Sequence, residues 1–160
     1  MKDILSKEFN MKIKRVEFKD IYPIWRDKLW KGRVSKIEES NPIDYLGKYN
    51  PELLKNKAVC FACFIEKKIV GVNTLLPTSN NFCRSRGFYI NPEQRLKGLG
   101  KRIMERTLQH ATNLKFKYIW SMPRKSSLPF YLKFGFIKTS EFDNQYEFGP
   151  NCFILKKIGD

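Results

Sequence analysis

The feature that decides the fold of this chain is the stretch Ile90-Asn91-Pro92-Glu93-Gln94-Arg95-Leu96-Lys97-Gly98-Leu99-Gly100-Lys101-Arg102-Ile103-Met104. It begins where an extended apolar run ends, and it leads into a segment with helical periodicity. The first N–H groups of a helix lack intrahelical partners and lie at the positive end of the helix dipole, so they attract anions. Gly98 and Gly100 let the backbone approach a phosphate closely, and Arg95, Lys97 and Lys101 add full positive charges. The stretch therefore predicts a phosphate-binding loop at a helix N-terminus.

The loop matches neither of the two commonest phosphate-binding motifs. A P-loop has Ser or Thr after its Gly-Lys pair, whereas Gly100-Lys101 is followed by Arg102. A dinucleotide-binding loop needs Gly-x-Gly-x-x-Gly, and here Gly98-x-Gly100 has no third glycine. What the loop resembles is the acetyl-CoA loop of the GCN5-related N-acetyltransferase (GNAT) family, Gln/Arg-x-x-Gly-x-Gly/Ala, which begins here at Arg95.

A second block, Pro129-Phe130-Tyr131-Leu132-Lys133-Phe134-Gly135-Phe136, resembles the GNAT motif of Phe-Tyr, a short helix and Gly-Phe. In that family the tyrosine at this position lies near the CoA sulfur and acts as general acid toward the departing thiolate. The resemblance assigns this catalytic role to Tyr131, and a positioned O–H donor is suited to stabilise a leaving thiolate. Two motifs at a compatible separation are more specific than either one alone.

The resemblance also implies which residues bind acetyl-CoA. Backbone groups of the fourth strand near Phe88 and Ile90 would hold the acetyl carbonyl and the pantetheine arm. Backbone N–H groups from Leu96 to Lys101 would hold the pyrophosphate. The predicted binding set, which includes no metal ion, is Phe88, Ile90, Arg95, Leu96, Lys97, Gly98, Leu99, Gly100 and Lys101.

The chain departs from the family pattern at the general base. Many members use a glutamate on the fourth or fifth strand to deprotonate the amine, but residues 83–90 and 116–122 contain no carboxylate. Glu38 would reach the site only if the loop after the first helix folds over it. An amine that arrives with a low pKa would need no base, so the base is left open.

Arginines on the far side of the predicted sheet suggest an acceptor with an anionic group. Arg84 and Arg86 alternate with Ser85, so a regular strand points both to one face. The planar guanidinium suits a carboxylate or a phosphate, although solvated or ion-paired surface arginines are the alternative. The predicted acceptor-binding set is Trp30, Arg33, Glu38, Arg84, Arg86 and Arg124.

The net charge of +15 is concentrated in the half of the chain that carries the phosphate loop. Between residues 84 and 138, thirteen Lys or Arg residues face two Glu residues. A CoA molecule would neutralise part of this charge. The remainder suggests an acidic substrate, an acidic partner or a nucleic acid such as tRNA, or serves solubility.

A length of 160 residues without a linker predicts one domain, residues 1–160. The chain has no apolar run long enough to cross a bilayer and its first residues contain no signal-peptide core, so we expect a cytoplasmic monomer or homodimer. The pair Cys60 and Cys63 has no second close pair and His110 is the only histidine. These features favour buried, reduced thiols over a zinc or redox site.

Apolar periodicity predicts strands over residues 11–18, 58–65, 69–76, 82–90, 115–122, 136–142 and 146–156. It also predicts a helix capped by Asp20 and ended by Gly32, a short helix within 41–56, a helix of about fifteen residues from Leu99, and a short helix after Ser126 or Ser127 that stops at Gly135. The last two strands are predicted to pair around a turn at Asp143-Asn144.

This order of elements is similar to the GNAT fold over roughly residues 11 to 156. The fold implied by the resemblance is α/β, with a mixed, mostly antiparallel central sheet of about seven strands that is splayed at the middle and flanked by about four helices. Leu29-Trp30-x-x-Arg33, Ile37-Glu38 and Trp120-Ser121-Met122-Pro123-Arg124 are also similar to segments of small acetyltransferase-like proteins encoded by bacteriophages.

The function that these features favour is acetyl-CoA-dependent N-acetylation by direct transfer to an amine. Three alternatives stay open at this point: a GNAT enzyme that acetylates aminoacyl-tRNA, a non-catalytic module that binds CoA, and a basic nucleic-acid-binding protein whose glycine loop grips backbone phosphate. Binding of acetyl-CoA would separate the CoA-dependent functions from the last of these.

Overall fold

A mixed sheet of seven strands forms the centre of the protein. The structure is a computed structural model that describes residues 10–160. The prediction that the first residues contain no signal-peptide core concerns residues outside this range. The strands are β1 (Met11–Val16), β2 (Val59–Ile65), β3 (Lys68–Pro77), β4 (Phe82–Ile90), β5 (Tyr118–Ser121), β6 (Ile137–Lys138) and β7 (Ile154–Lys157). Their order in the sheet is β1-β2-β3-β4-β5-β7-β6. Strands β4 and β5 run parallel, and the other neighbouring pairs of the described chain run antiparallel.

The sheet opens between β4 and β5, as predicted. The two strands pair only from Phe82 to Arg84 on β4 and from Tyr118 to Trp120 on β5, while β4 continues to Ile90. Residues 85–90 therefore have no strand partner on the β5 side, and their main-chain groups face a gap. The predicted α/β fold with a splayed, mostly antiparallel sheet is confirmed.

A β-bulge interrupts β4 at the edge of this gap. Thr74 pairs with Arg86 and Val72 pairs with Tyr89, so two residues of β4 lie opposite one residue of β3. One of these two is Gly87, whose φ of +77° is rarely adopted by residues with a side chain. Bulges bend a strand and redirect its side chains, and this one lies beside the gap in the sheet.

Helices cover both faces of the sheet. They are α1 (Phe18–Ile24), which continues as a π-helical turn (Trp25–Leu29), α2 (Leu99–Asn113) and α3 (Leu128–Lys133), with short 3₁₀ turns at Pro51–Lys55 and Pro92–Gln94. Cys60 and Ala62 of β2 pack in a core with α1, whereas the intervening Phe61 contacts His110 of α2. Because neighbouring residues of a strand point to opposite faces, α1 and α2 lie on opposite sides of the sheet.

The first helix begins earlier than the sequence predicted. Asp20 was expected to cap it, but Glu17 is the N-cap and Asp20 lies in the first turn, where its carboxylate accepts a hydrogen bond from the Glu17 N–H (3.2 Å). The two acidic side chains form a capping box, so Asp20 takes the reciprocal position of the motif. Regular α-helix ends at Ile24, and the π-helical turn ends before Gly32, the predicted stop.

The predicted hairpin at the C-terminal end is wrong in its extent. β6 and β7 pair antiparallel as expected, but they are short, and residues 139–153 between them form a long loop. Asp143, expected in the turn, instead makes an isolated bridge with Asn151 through two backbone hydrogen bonds of 2.8 and 3.0 Å. Pro150 has no N–H to donate to a neighbouring strand. Side chains from the middle of the loop, residues 145–148, line the open part of the sheet.

The four cysteines pack in the interior as free thiols. Burial raises the pKa of Cys60 to about 12 and the pKa of Cys63 to about 11, so both thiols are protonated at neutral pH. Their burial was predicted from the sequence and is confirmed. None of the helices in the described part of the chain combines the length and the apolar character needed to span a bilayer.

Candidate active site

The predicted phosphate loop has the backbone geometry of an anion site. Leu96 and Gly98 both adopt positive φ angles, +64° and +83°, and Gly98 is the N-cap of α2. The first backbone bond of the helix runs from the Arg102 N–H to the Gly98 carbonyl (3.2 Å). The N–H groups before Arg102 therefore have no acceptor within the helix, and they fit a polyphosphate.

The two glycines of the loop have different roles. A Cβ on Gly98 would meet nothing within 4 Å, so its positive φ explains the glycine. A Cβ on Gly100 would lie 3.0 Å from the Phe88 ring and 3.2 Å from the Phe130 ring. Gly98 sets the shape of the loop, whereas Gly100 allows α2 to pack closely against these aromatic rings.

The basic residues of the loop also differ in their contacts. Arg95 donates from Nε to the carbonyl of Ile90 (3.0 Å) and lies over the Tyr89 ring, so it ties the loop to the end of β4. Lys101 lies 3.9 Å from Glu105 in an exposed i, i+4 pair. Lys97 is exposed. The charge offered to an incoming anion therefore comes mainly from the two lysines.

The gap beside β4 brings the predicted donor residues next to the predicted catalytic residue. Phe88 is half-buried, and its ring stacks on Phe130 (centroids 4.8 Å apart) and meets the Tyr131 ring edge-on at 6.2 Å. Ile90 at the end of β4 is buried against α2. The carbonyls of Ser85, Gly87 and Ile90 already accept side-chain hydrogen bonds, so the main chain around Phe88 is the part of the open edge available to an extended pantetheine arm.

Tyr131 is held in α3 as a buried, neutral phenol. Its side chain is 3% exposed, and burial raises the pKa of its hydroxyl. Hydrogen bonds with the hydroxyls of Ser121 and Ser85, and the positive charge of Arg84, act on this pKa in the opposite direction. Ser121 also donates to the backbone carbonyl of Ser85 (2.7 Å) where β4 and β5 separate. The phenol therefore carries a proton at neutral pH and can act as an acid.

A cavity of about 320 Å³ lies on the other side of the gap. Five of the six predicted acceptor-binding residues line it, together with one residue predicted to bind the donor and the residue predicted to be catalytic. These are Trp30, Arg33, Arg84, Arg86, Arg124, Phe88 and Tyr131. Residues far apart in the sequence are thus brought to one site, although their binding roles stay predictions.

Three of the four arginines are anchored to the loops around the cavity. Arg86 donates from Nη1 to the carbonyls of Glu38 (2.9 Å) and Glu39 (3.4 Å), and Arg124 donates from Nη2 to the carbonyl of Leu29 (3.0 Å). Arg33 donates to the hydroxyl of Ser35 (2.8 Å). Each of the three also lies over an aromatic ring of the site, at 4.8–5.2 Å.

The arginines form a cationic lining in which none of the four makes a salt bridge within the described residues, since none lies within 4 Å of a carboxylate oxygen. Burial lowers the pKa of Arg84 to about 10. The pKa of Arg86 is also lowered by burial and, to a smaller extent, by the charge of Arg84. Guanidinium groups stay protonated at neutral pH even so, and the cavity is positive.

Glu38 contributes its backbone to the site. The loop after α1 folds over the sheet, as the predicted role of Glu38 required, but the contact is made by its carbonyl oxygen to Arg86. The Glu38 carboxylate lies 3.8 Å from Lys36 and does not line the cavity. The structure therefore supplies no general base at this position.

Sequence reasoning missed the contribution of loop 139–153, because its apolar residues were read as strand. The loop lines the cavity with Gln145, Tyr146, Glu147, Phe148 and Asn151. Glu147 accepts hydrogen bonds from the Val34 N–H (2.6 Å), the Ser35 N–H (3.3 Å) and the Ser35 hydroxyl (2.7 Å). These bonds join the two loops that border the cavity. Nothing in the sequence distinguishes Glu147 from the other acidic residues of this loop, Glu141 and Asp143.

The Glu147 carboxylate is held in its charged form. The hydrogen bond from the Ser35 hydroxyl lowers its pKa most, followed by the bond from the Val34 backbone. Both oxygens are already engaged by these donors. Glu147 is therefore suited to joining the loops and poorly suited to removing a proton from an acceptor.

The sequence profile described as "Acetyltransferase (GNAT) family" matches residues 19–136, and the chain belongs to this family. The family assignment predicted from the two motifs is confirmed. The chain is therefore a transferase of a class that uses acetyl-CoA or another acyl-CoA as the donor. No similar sequence was found among curated proteins.

Solved structures share the fold at low sequence identity. Ard1 from Thermoplasma volcanium superposes with a TM-score of 0.70 at 18% identity and covers 94% of this chain and 99% of its own. An acetyltransferase from Streptococcus agalactiae gives 0.66 at 22% identity, covering 92% and 98%. The ribosomal-protein-S18-alanine N-acetyltransferase from Escherichia coli gives 0.66 at 12% identity, covering 94% and 95%. At such identities the likeness shows the fold alone.

Proposed function

We propose that this protein is an acetyl-CoA-dependent N-acetyltransferase that transfers the acetyl group directly to a primary amine of an acceptor with an anionic group. The observation that carries this proposal is the single cavity in which Tyr131 and four arginines meet beside the open edge of β4. Family membership supports the acyl-CoA donor. The cationic lining supports an acceptor that carries a negative charge.

The residues present fit acetyl-CoA. The N–H groups at the start of α2, with Lys97 and Lys101, would hold the pyrophosphate, and the main chain near Phe88 and Ile90, which has no β5 partner, would hold the pantetheine arm and the acetyl carbonyl. When bound, acetyl-CoA supplies a thioester carbonyl carbon to which the acceptor nitrogen bonds as the carbon–sulfur bond breaks. The gap between β4 and β5 joins this donor side to the cavity.

Tyr131 acts as the general acid in the proposed reaction. Its buried phenol retains its proton at neutral pH, and it gives this proton to the departing sulfur. The neighbouring Ser121 and Ser85 hydroxyls and the charge of Arg84 oppose the effect of burial on its pKa. The acceptor nitrogen loses a proton to water and Tyr131 regains one from water, so the net result is an amide, a thiol and a Tyr131 that is protonated again.

The acceptor reacts in this proposal as a neutral amine without a carboxylate base. Glu147 is the one carboxylate that lines the cavity, and its oxygens are engaged by Val34 and Ser35. Four arginine charges around the cavity disfavour a second cation, so they favour the neutral amine over the ammonium form. The arginine lining thereby assists deprotonation of the bound acceptor.

The test begins with calorimetry using acetyl-CoA, followed by release of free thiol over a panel of amines. Tyr131→Phe is expected to bind acetyl-CoA as the wild type does and to lower kcat about 100-fold or more. Tyr49→Phe, which changes an exposed tyrosine away from the cavity, is the matched control and should keep full activity. Absence of acetyl-CoA binding, or equal rates for Tyr131→Phe and the wild type, would contradict the proposal.

A second candidate acceptor is aminoacyl-tRNA. The observation that favours it is the excess of basic residues between positions 84 and 138, which exceeds the charge of one CoA molecule. Charged tRNAs therefore belong in the amine panel, as does a peptide with a free N-terminal alanine. RNA binding that weakens steeply with salt, together with turnover of charged tRNA, would favour this candidate.

A further inference from the structure

Arg84 is a buried cation whose hydrogen-bonding capacity is largely unused. Its side chain is 9% exposed, and a guanidinium carries five N–H donors. The described chain offers one oxygen, Asn41 Oδ1 (3.1 Å from Nη1), and one sulfur, Met122 Sδ (3.4 Å from Nη2). Arg84 Nε is buried without a partner. A buried charge in this state is costly unless a ligand completes its surroundings.

The other three arginines of the cavity do not share this property. Arg86 and Arg124 donate to the backbone carbonyls of Glu38 and Leu29, and Arg33 donates to the Ser35 hydroxyl of its own loop. Within residues 10–160, none of these three has a side-chain nitrogen that is both buried and without a partner. Arg84 donates to the side chain of Asn41, but its Nε is buried without an acceptor, and its ring contact with Trp120 (4.8 Å) supplies none. Arg84 is therefore the arginine of the cavity that is best explained by an absent anion.

A second buried polar atom without a partner belongs to Asn151, a residue that lines the same cavity. The atom is Asn151 Oδ1. Within residues 10–160, Asn151 Oδ1 and Arg84 Nε are the buried side-chain nitrogen and oxygen atoms that have no hydrogen-bond partner. The two side chains flank Met122: Asn151 Nδ2 donates to its carbonyl (3.0 Å), and Arg84 contacts its sulfur. Folded proteins leave few buried polar groups unpaired, and two around one cavity indicate a lining that an occupant completes.

The dimensions of the cavity favour a small occupant. Its volume of about 320 Å³ is at the lower end for small-molecule sites, and the bonds of Glu147 to Ser35 join the loops on either side. Arg84 and Tyr131 line the same cavity, so an anion at Arg84 lies within a few atoms of the reacting amine. The planar guanidinium of Arg84 still has donors free and matches the planar shape of a carboxylate, which it can bind through two parallel N–H bonds.

We infer that the acceptor is a small amine with a carboxylate, of the size of an amino acid, and that Arg84 binds this carboxylate. The inference rests on the proposed function and specifies its substrate class. Arg84 is thus the residue that determines specificity for an acid over the corresponding amide or ester. Arg86, Arg33 and Arg124 shape the cavity and add to its positive field.

The experiment compares acceptors in matched pairs. Each standard amino acid and its carboxamide, which keeps the amine and loses the negative charge, is assayed with the wild type, Arg84→Met and Lys31→Met. The wild type is expected to prefer at least one acid over its amide by about ten-fold or more in kcat/KM. Arg84→Met should abolish that preference, because it should lower kcat/KM for the acid more than for the amide. Lys31→Met removes one exposed positive charge outside the cavity and should keep the preference.

A binding measurement makes the inference independent of turnover. Calorimetry with N-acetyl amino acids and their amides, which correspond to the products, should show binding of an acid that Arg84→Met loses and Arg84→Lys weakens. An acid that binds no better than its amide, or a preference that survives in Arg84→Met, overturns the carboxylate site. Acetyl transfer to peptides or charged tRNA alone also overturns it but leaves the acetyltransferase standing. Failure to bind acetyl-CoA overturns the acetyltransferase, whereas the N-acetyl amino acids still test Arg84.

Discussion

Gly87 is the residue whose backbone most directly shapes the site. It occupies the bulge of β4 with a φ of +77°, and a Cβ placed there would lie 2.1 Å from the Trp25 ring. The carbonyl of Gly87 accepts a hydrogen bond from Trp25 Nε1 (2.9 Å), and Trp25 is fully buried. The close approach of the indole to the bulge therefore requires glycine at this position.

We predict that Gly87→Ala lowers the free energy of unfolding by about 2–4 kcal/mol, because the strain of a positive φ adds to overpacking against Trp25. Gly32→Ala is the matched control. Gly32 has a similar φ of +82°, but a Cβ added to it would meet no atom within 4 Å, so the cost should be about 1 kcal/mol. Urea unfolding of both variants measures the difference. Equal losses would mean that the contact with Trp25 is unimportant.

At the scale of single residues, regular alternation was the most useful signal in the sequence. Arg84 and Arg86 were predicted to share a face because one residue separates them, and both line the cavity. Their partners could not be predicted, because Asn41 and Glu38 belong to an irregular loop. Glu147 was missed for the same reason. Contacts between two loops depend on backbone paths that no periodicity encodes.

At the scale of elements, the backbone conformation of the loop between β4 and α2 determines whether the proposed pyrophosphate site is formed. Gly98 is the N-cap of α2, and its left-handed conformation turns the loop so that the N–H groups of the first helical turn stay free. An alanine at this position makes the left-handed conformation less populated. Binding of the pyrophosphate would then have to restore the loop from other conformations.

We predict that Gly98→Ala weakens acetyl-CoA binding about five-fold, because an unfavourable loop conformation must be recovered on binding. Its fold should be retained, since the Cβ meets no other atom within 4 Å. Calorimetry with acetyl-CoA gives the affinity, and Gly32→Ala, a glycine of similar φ in another loop, should bind as the wild type does. An unchanged affinity in Gly98→Ala would exclude this loop as the pyrophosphate site.

Elements with strong periodicity were predicted closely. β4 was expected at residues 82–90 and spans Phe82–Ile90, and the helix expected from Leu99 spans Leu99–Asn113. Both bury one face against the core, and burial imposes the pattern on the sequence. Loop 139–153 was misread because two of its aromatic residues, Tyr146 and Phe148, line the cavity of the site rather than a strand neighbour. Apolar residues that line a site and apolar residues of a strand look alike in sequence.

At the scale of the whole molecule, the sheet and the loops contribute different parts of the function. In the proposed function, β4 and α2 bind the donor, and the loop between them carries the recognisable motif. The acceptor side is built from the loop after α1 and from loop 139–153, which close over the far side of the sheet. The first part was identified in the sequence from its motif. The second depends on how two irregular segments meet, and Glu147 is the residue that joins them.

We predict that Glu147→Gln lowers the Tm at neutral pH and that this effect disappears in acid. The pKa of Glu147 is lowered from its ordinary value of 4.5, so its contribution to stability is present above that value and is lost as the pH falls through the pKa of the folded state. Thermal unfolding of the wild type and the variant across this range measures the effect. Glu93→Gln, which changes an exposed glutamate of the 3₁₀ turn before α2, serves as the control and should show no such dependence. A difference in Tm between Glu147→Gln and the wild type that persists unchanged in acid would show that the carboxylate charge does not hold the two loops together.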